Sequence, residues 1–255
     1  MNGFRSGLTA ALILLTTGCS TPVSDYIDRW FGNGPVIKPA ELVVFKQTAT
    51  PKILWQANAG GAERFVFSPM VDESIVAVAG AGGQVLRLDA GNGKQLVRID
   101  SKLHLSGGVG GNRRMMIVGS PKGDVLAYDG TGKEIWKSQI NSDVLSAPQV
   151  EQDIVIVRSG DGRLFGLDVA TGVRKWVYQR TMPALTVRTH VSVQPYRGAV
   201  FAGFPSGRLV AISASNGNLI WEATVALPKG ATELERVADV TSIPVTDGKI
   251  GRAHV

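Results

Sequence analysis

Asp161–Trp176 reads DGRLFGLDVATGVRKW. The alternating run Arg163–Asp168 predicts a short strand, Asp168–Gly172 a tight turn, and the residues up to Trp176 a second strand. Neither strand is long enough to bury a face alone, so the unit needs neighbours of its own kind. The chain supplies them. Gly123–Trp136 reads GDVLAYDGTGKEIW, one residue shorter in the turn. Gly207–Trp221 reads GRLVAISASNGNLIW, with Ser213 at the aspartate position, and Gly83–Val97 reads GQVLRLDAGNGKQLV, with valine for tryptophan. Asp89, Asp129, Asp168 and Ser213 are spaced by 40, 39 and 45 residues. A period near 40 with several short strands per unit is the pattern of a β-propeller blade.

Outside the turn unit, each repeat carries a lead-in and an apolar strand. The lead-ins are Ser68-Pro69, Ser106-Gly107, Ser146-Ala147-Pro148 and Ser192-Val193. The strands are Ile75–Ala79, Met115–Gly119, Ile154–Arg158 and Ala199–Gly203. Helical spacing with capping residues is missing through most of the chain, so the expected class is all-β, a propeller of four-stranded blades. The turn aspartates are expected to accept backbone N–H groups of their own turns, and Gly93, Gly132, Gly172 and Gly217 to supply positive φ. Trp136, Trp176 and Trp221 are expected to end the outer strands and wedge between blades. Ala49–Ala57, with Trp55, matches a closing outer strand that completes another blade.

Composition excludes several function classes. The chain has 255 residues, 44% of them hydrophobic, and 31 glycines, which is globular and turn-rich. Its formal charge is +6, yet no run of five basic residues occurs and aromatics are few, so no nucleic-acid partner is expected. One cysteine rules out an intramolecular disulfide and a cysteine metal cluster. Asp89, Asp129 and Asp168 sit at equivalent points of separate repeats, which makes them turn residues and not a carboxylate cluster. His104 and His190 lack a second ligand at metal spacing. No Ser-His-Asp order, P-loop or nucleophile elbow is present, so no catalytic residue, metal or cofactor is expected.

The amino terminus carries an address. Arg5 precedes the apolar run Leu8–Leu15, which is too short to span a bilayer, and Thr16-Thr17-Gly18 leads to Cys19. Residues 1–18 resemble a bacterial lipoprotein signal, with Thr16 where leucine is usual. The resemblance implies that Cys19 is lipidated, and Ser20 after it implies outer-membrane retention facing the periplasm. Ordinary signal cleavage leaving a free thiol is the alternative. Residues 19–50 read as a tether.

The repeat Gly-x-Leu-x-x-x-Asp-x-x-Thr-Gly-x-x-x-Trp resembles that of pyrroloquinoline-quinone enzymes and their non-enzymatic relatives. Together with the signal and Ala231–Val240 (ATELERVADV), the chain is similar to the BamB family of outer-membrane lipoproteins. That resemblance implies an eight-bladed, non-catalytic scaffold of the β-barrel assembly (BAM) complex that docks on periplasmic domains of BamA. The family's Leu-x-Leu-Arg contact is met by Leu185, Thr186, Val187 and Arg188. Its Asp-Val-Asp contact is met by Asp239 and Val240, with Thr241 replacing the second acid. Read from the residues alone, Leu185 and Val187 also fit an inward strand face. Nascent outer-membrane proteins are a further possible partner, through strand addition at an exposed blade edge. A quinone-dependent dehydrogenase and a periplasmic ligand-binding propeller are the competing readings.

Residues 51–249 are therefore expected to form an incomplete propeller. Eight blades with leader and tether would need roughly 370 to 390 residues. Residues 250–255 (IGRAHV) read as a non-native tail, the translation of a sequencing adapter.

Overall fold

A computed structural model describes residues 48–232, 234–246 and 251–252. The signal, Cys19 and most of the tether lie outside these residues. One compact unit spans Lys52–Val255.

Four antiparallel sheets of four strands follow one another along the chain. The first holds β1 (Met70–Asp72), β2 (Ile75–Ala79), β3 (Gln84–Asp89) and β4 (Gln95–Asp100). The second holds β5 (Gly110–Asn112), β6 (Met115–Gly119), β7 (Asp124–Asp129) and β8 (Glu134–Gln139). The third holds β9 (Gln149–Glu151), β10 (Ile154–Arg158), β11 (Leu164–Asp168) and β12 (Arg174–Tyr178). The fourth holds β13 (Gln194–Tyr196), β14 (Ala199–Phe204), β15 (Arg208–Ser213) and β16 (Leu219–Thr224). A two-stranded start, β17 (Val245–Thr246) with β18 (Gly251–Arg252), comes last. Within each sheet, strands pair in chain order, the meander of a propeller blade.

The core lies between blades. In blades 2 and 3 the second and third strands are buried on both faces, because each of these blades is covered by the one before and the one after. One apolar cluster joins Ala77, Val85 and Ile99 of blade 1 to Met116, Val118 and Leu126 of blade 2. A second joins Ile117 and Ala127 to Val155 and Phe165, and a third joins Ile156 and Leu164 to Val200 and Val210. Burial on both faces explains why β6 and β10 read as continuous apolar runs, not as alternation.

The turn aspartates act as the sequence implied. Asp89 Oδ1 accepts from the Gly91 and Asn92 amides at 3.0 Å each. Asp168 Oδ1 accepts from the amides of Ala170 (3.1 Å) and Thr171 (3.0 Å) and from the Thr171 hydroxyl (2.9 Å). In the shorter turn Asp129 takes Thr131 and Lys133 instead. A bulge follows at the same point in every blade, between residues 87/88, 127/128, 166/167 and 211/212. It re-aims the last pairing of the hairpin towards the turn.

The tryptophans lock successive blades together. Trp136 Nε1 donates to the Val169 carbonyl (2.9 Å) and Trp176 Nε1 to Ala214 (2.8 Å), each the residue after the next blade's turn aspartate or serine. Trp55 does the same to Ala90 (2.8 Å), although Lys52–Ala57 forms no strand. Blade 1 carries Val97 in place of tryptophan, and there Arg87 Nη1 supplies the donor to Gly130. The outer strands do not end at tryptophan, as the sequence suggested. They run on to Gln139, Tyr178 and Thr224, because strand pairing continues past the indole.

Candidate functional site

The connections between blades carry what the repeat leaves free. Between β12 and β13 the chain runs from Gln179 to Val193 without a strand. Between β16 and β17 it runs from Val225 to Pro244. The structure brings these connections together through a hydrogen bond: the Val187 amide donates to Asp239 Oδ2 at 2.7 Å.

Asp239 faces inward, 8% exposed, and its other oxygen accepts the Ser206 amide of the β14–β15 turn at 3.3 Å. Its carboxylate is thus engaged by two backbone groups, a geometry that holds a loop in place. Val187 and Leu185, in contrast, are 49% and 46% exposed. They belong to no strand, so the inward-strand alternative does not describe them. Arg188 extends back across the surface and pairs with Asp143, in the connection between blades 2 and 3. Two half-exposed apolar side chains beside a guanidinium thus stand on a loop held at Val187 and Arg188. That combination suits a protein interface: apolar area to desolvate and a charge to set register.

Beside this loop lies an open groove lined by Pro183, Leu185, Ser206, Pro228, Arg236, Val237 and Asp239. Arg180 and Arg208 flank Glu222 nearby; Arg180 Nη1 reaches Glu222 Oε2 at 2.6 Å, which holds the Glu222 carboxyl below its usual range and raises Arg180.

The remaining sequence candidates fall elsewhere. His104 Nε2 lies 3.0 Å from Glu63 Oε2, and His190 Nδ1 lies 3.3 Å from the Leu145 carbonyl. Among the described residues, no three His, Cys, Asp or Glu side chains converge as a metal site. Asp143 and Arg158 went unnoticed in the sequence reading, although Arg158 left a signal. It ends an apolar strand at a position held by Ala79, Gly119 and Gly203 in the other blades.

Comparison with known proteins adds the family. The model described as outer membrane protein assembly factor BamB matches residues 81–254. A BamB of Nitrosomonas eutropha is 44% identical over 93% of this chain. The chain belongs to the BamB family. It spans 59% of the length of that relative. The crystal structure of BamB from Moraxella catarrhalis superposes with a TM-score of 0.68 at 23% identity, covering 79% of this chain and 61% of that one. A quinohemoprotein alcohol dehydrogenase from Comamonas testosteroni reaches 0.59 at 16% identity, over 79% of this chain and 41% of that one. At such identities these two report the fold alone. Within BamB, the blade motif is common ground with quinoproteins, and family membership rests on the sequence match.

Proposed function

We propose that this chain serves as a non-catalytic scaffold lipoprotein of outer-membrane protein assembly. In this reading acyl chains on Cys19 anchor it to the outer membrane, and it faces the periplasm. Several acyl chains give lasting attachment, at roughly 0.8 kcal/mol per buried CH₂. It docks on periplasmic domains of BamA through Leu185, Val187 and Arg188, and Asp239 holds that loop in shape. The observation that carries this reading is the pinned, half-exposed pair Leu185 and Val187 beside Arg188. Other apolar side chains of this chain are exposed as well; what sets this pair apart is its place beside Arg188 on a loop whose Val187 amide is held by Asp239. Nascent barrel strands would be handled passively, by pairing with an exposed blade edge.

The test is a pull-down of BamA from detergent-solubilised membranes with the wild-type protein, Arg188→Glu and Leu185→Glu. Loss of BamA from both variants, at unchanged melting temperature, is the expected result. Undiminished recovery with both would refute the docking assignment.

A further inference from the structure

Arg158 places a charge at a position that Ala79, Gly119 and Gly203 hold in the other blades. It closes β10 on the inner part of blade 3, only 6% exposed. Its Nη2 crosses to blade 4 and donates to the Gly203 carbonyl at 2.8 Å, and its guanidinium carbon stands 5.4 Å from the centre of the Phe204 ring. Nη1 is buried without a hydrogen-bond partner. Burial pulls the guanidinium pKa down to about 10, against the opposing pull of Asp239, so the group stays charged at neutral pH.

Arg158 and Asp239 line the same small cavity with Met182, Thr186 and Val187, and they are the charged residues among those that line it. About 20 Å³ of it is open to the centre of a water-sized sphere, room for about one water. A buried carboxylate and a buried guanidinium are each costly alone and tolerable together. The carboxylate spends its oxygens on the amides of Val187 and Ser206. Arg158 makes no hydrogen bond to Asp239 and acts on it across the cavity through its charge; removing that charge is expected to let the carboxylate turn towards solvent and to cost Val187 its acceptor.

We infer that Arg158 is a positioning residue for the docking loop: it holds Asp239 inward, and Asp239 holds the Val187 amide, so that Leu185 and Val187 face outward in one arrangement. The inference rests on the docking reading for its purpose, but the latch itself is a property of blades 3 and 4. Arg158 touches no partner. It acts through two intermediates, across the junction of two blades and two connections.

Hydrogen exchange at the Val187 amide and binding to purified BamA periplasmic domains, both on the intact protein, separate the two claims. Arg158→Gln keeps a polar, shorter side chain without the charge. It is expected to speed Val187 exchange at least tenfold and to weaken binding about tenfold through faster dissociation, while exchange in β3 of blade 1 stays unchanged. Arg158→Lys should recover part of both effects. Unchanged Val187 exchange in Arg158→Gln overturns the latch. Faster exchange with undiminished binding overturns the positioning role, provided Leu185→Glu abolishes binding. If Leu185→Glu binds normally, the docking reading fails while the latch stands. Where Arg158→Gln also loosens β3, Arg158→Met is read instead; faster Val187 exchange with β3 unchanged supports the latch, and wild-type Val187 exchange overturns it.

Discussion

The indole of Trp136 lies directly against Gly172, the turn glycine of the following blade. A Cβ built on Gly172 would fall 2.6 Å from the ring, and its φ of +71° already lies where side chains are strained. Trp55 meets Gly93 and Trp176 meets Gly217 in the same way. Each tryptophan therefore recognises the turn of its neighbour, by area and by one indole hydrogen bond. The repeat is a lock between blades as much as a motif within one.

This lock predicts graded costs. Trp136→Ala should cost about 3–5 kcal/mol, as a large buried ring is lost with its hydrogen bond. Gly172→Ala should cost more than about 1 kcal/mol, through both clash and backbone strain. Trp221 is 40% exposed, against 7% for Trp136 and 8% for Trp176, so Trp221→Ala should cost clearly less than Trp136→Ala. Urea midpoints for the three variants decide it. A Gly172→Ala variant as stable as wild type would show that the turn relaxes away from the indole.

Acid stability should follow the turns. The Thr131 hydroxyl first, then the Lys133 amide, hold the Asp129 carboxyl below its ordinary value. The Thr171 hydroxyl and then Lys175 do so for Asp168. A carboxyl depressed in the fold contributes stability above its unfolded pKa, about 3.9, and loses it as pH falls through the folded value. The melting temperature should therefore drop below about pH 4. In Asp129→Asn with Asp168→Asn that drop should be shallower, from a lower starting point. Parallel curves for the two proteins would place the acid sensitivity elsewhere.

Arg188 has an intramolecular competitor in Asp143. Its side chain is largely exposed, so the pair is worth at most about 1 kcal/mol. Asp143→Ala should leave thermal stability nearly unchanged. It should also tighten docking on an acidic partner surface by up to about fivefold, since no internal pair must be exchanged. Titration calorimetry at two salt concentrations reads both the gain and its screening. Weaker binding in Asp143→Ala would mean that the ion pair orients Arg188 and does not compete for it.

The groove beside the Leu185–Arg188 loop was not legible in the sequence. Pro183 and Leu185 come from one connection, and Pro228 and Val237 from another, more than forty residues away. No local pattern ties them, since neither connection has a period. The sequence shows Asp239 as an acid without its orientation. Its inward orientation follows from the Val187 and Ser206 amides, partners that are distant in sequence.

The sequence by itself determined the blades. Apolar runs, turn aspartates, glycines and tryptophans recur at a fixed period, and every one of these signals is local, acting within a hairpin or on the next copy along. Tertiary structure decided which charges are buried, which apolar residues stay outside, and which loops meet. Those outcomes depend on contacts such as Arg158 with Gly203 and Val187 with Asp239, separated by 45 and 52 residues. Closing such contacts requires the blades to be stacked first, so no stretch read alone contains them.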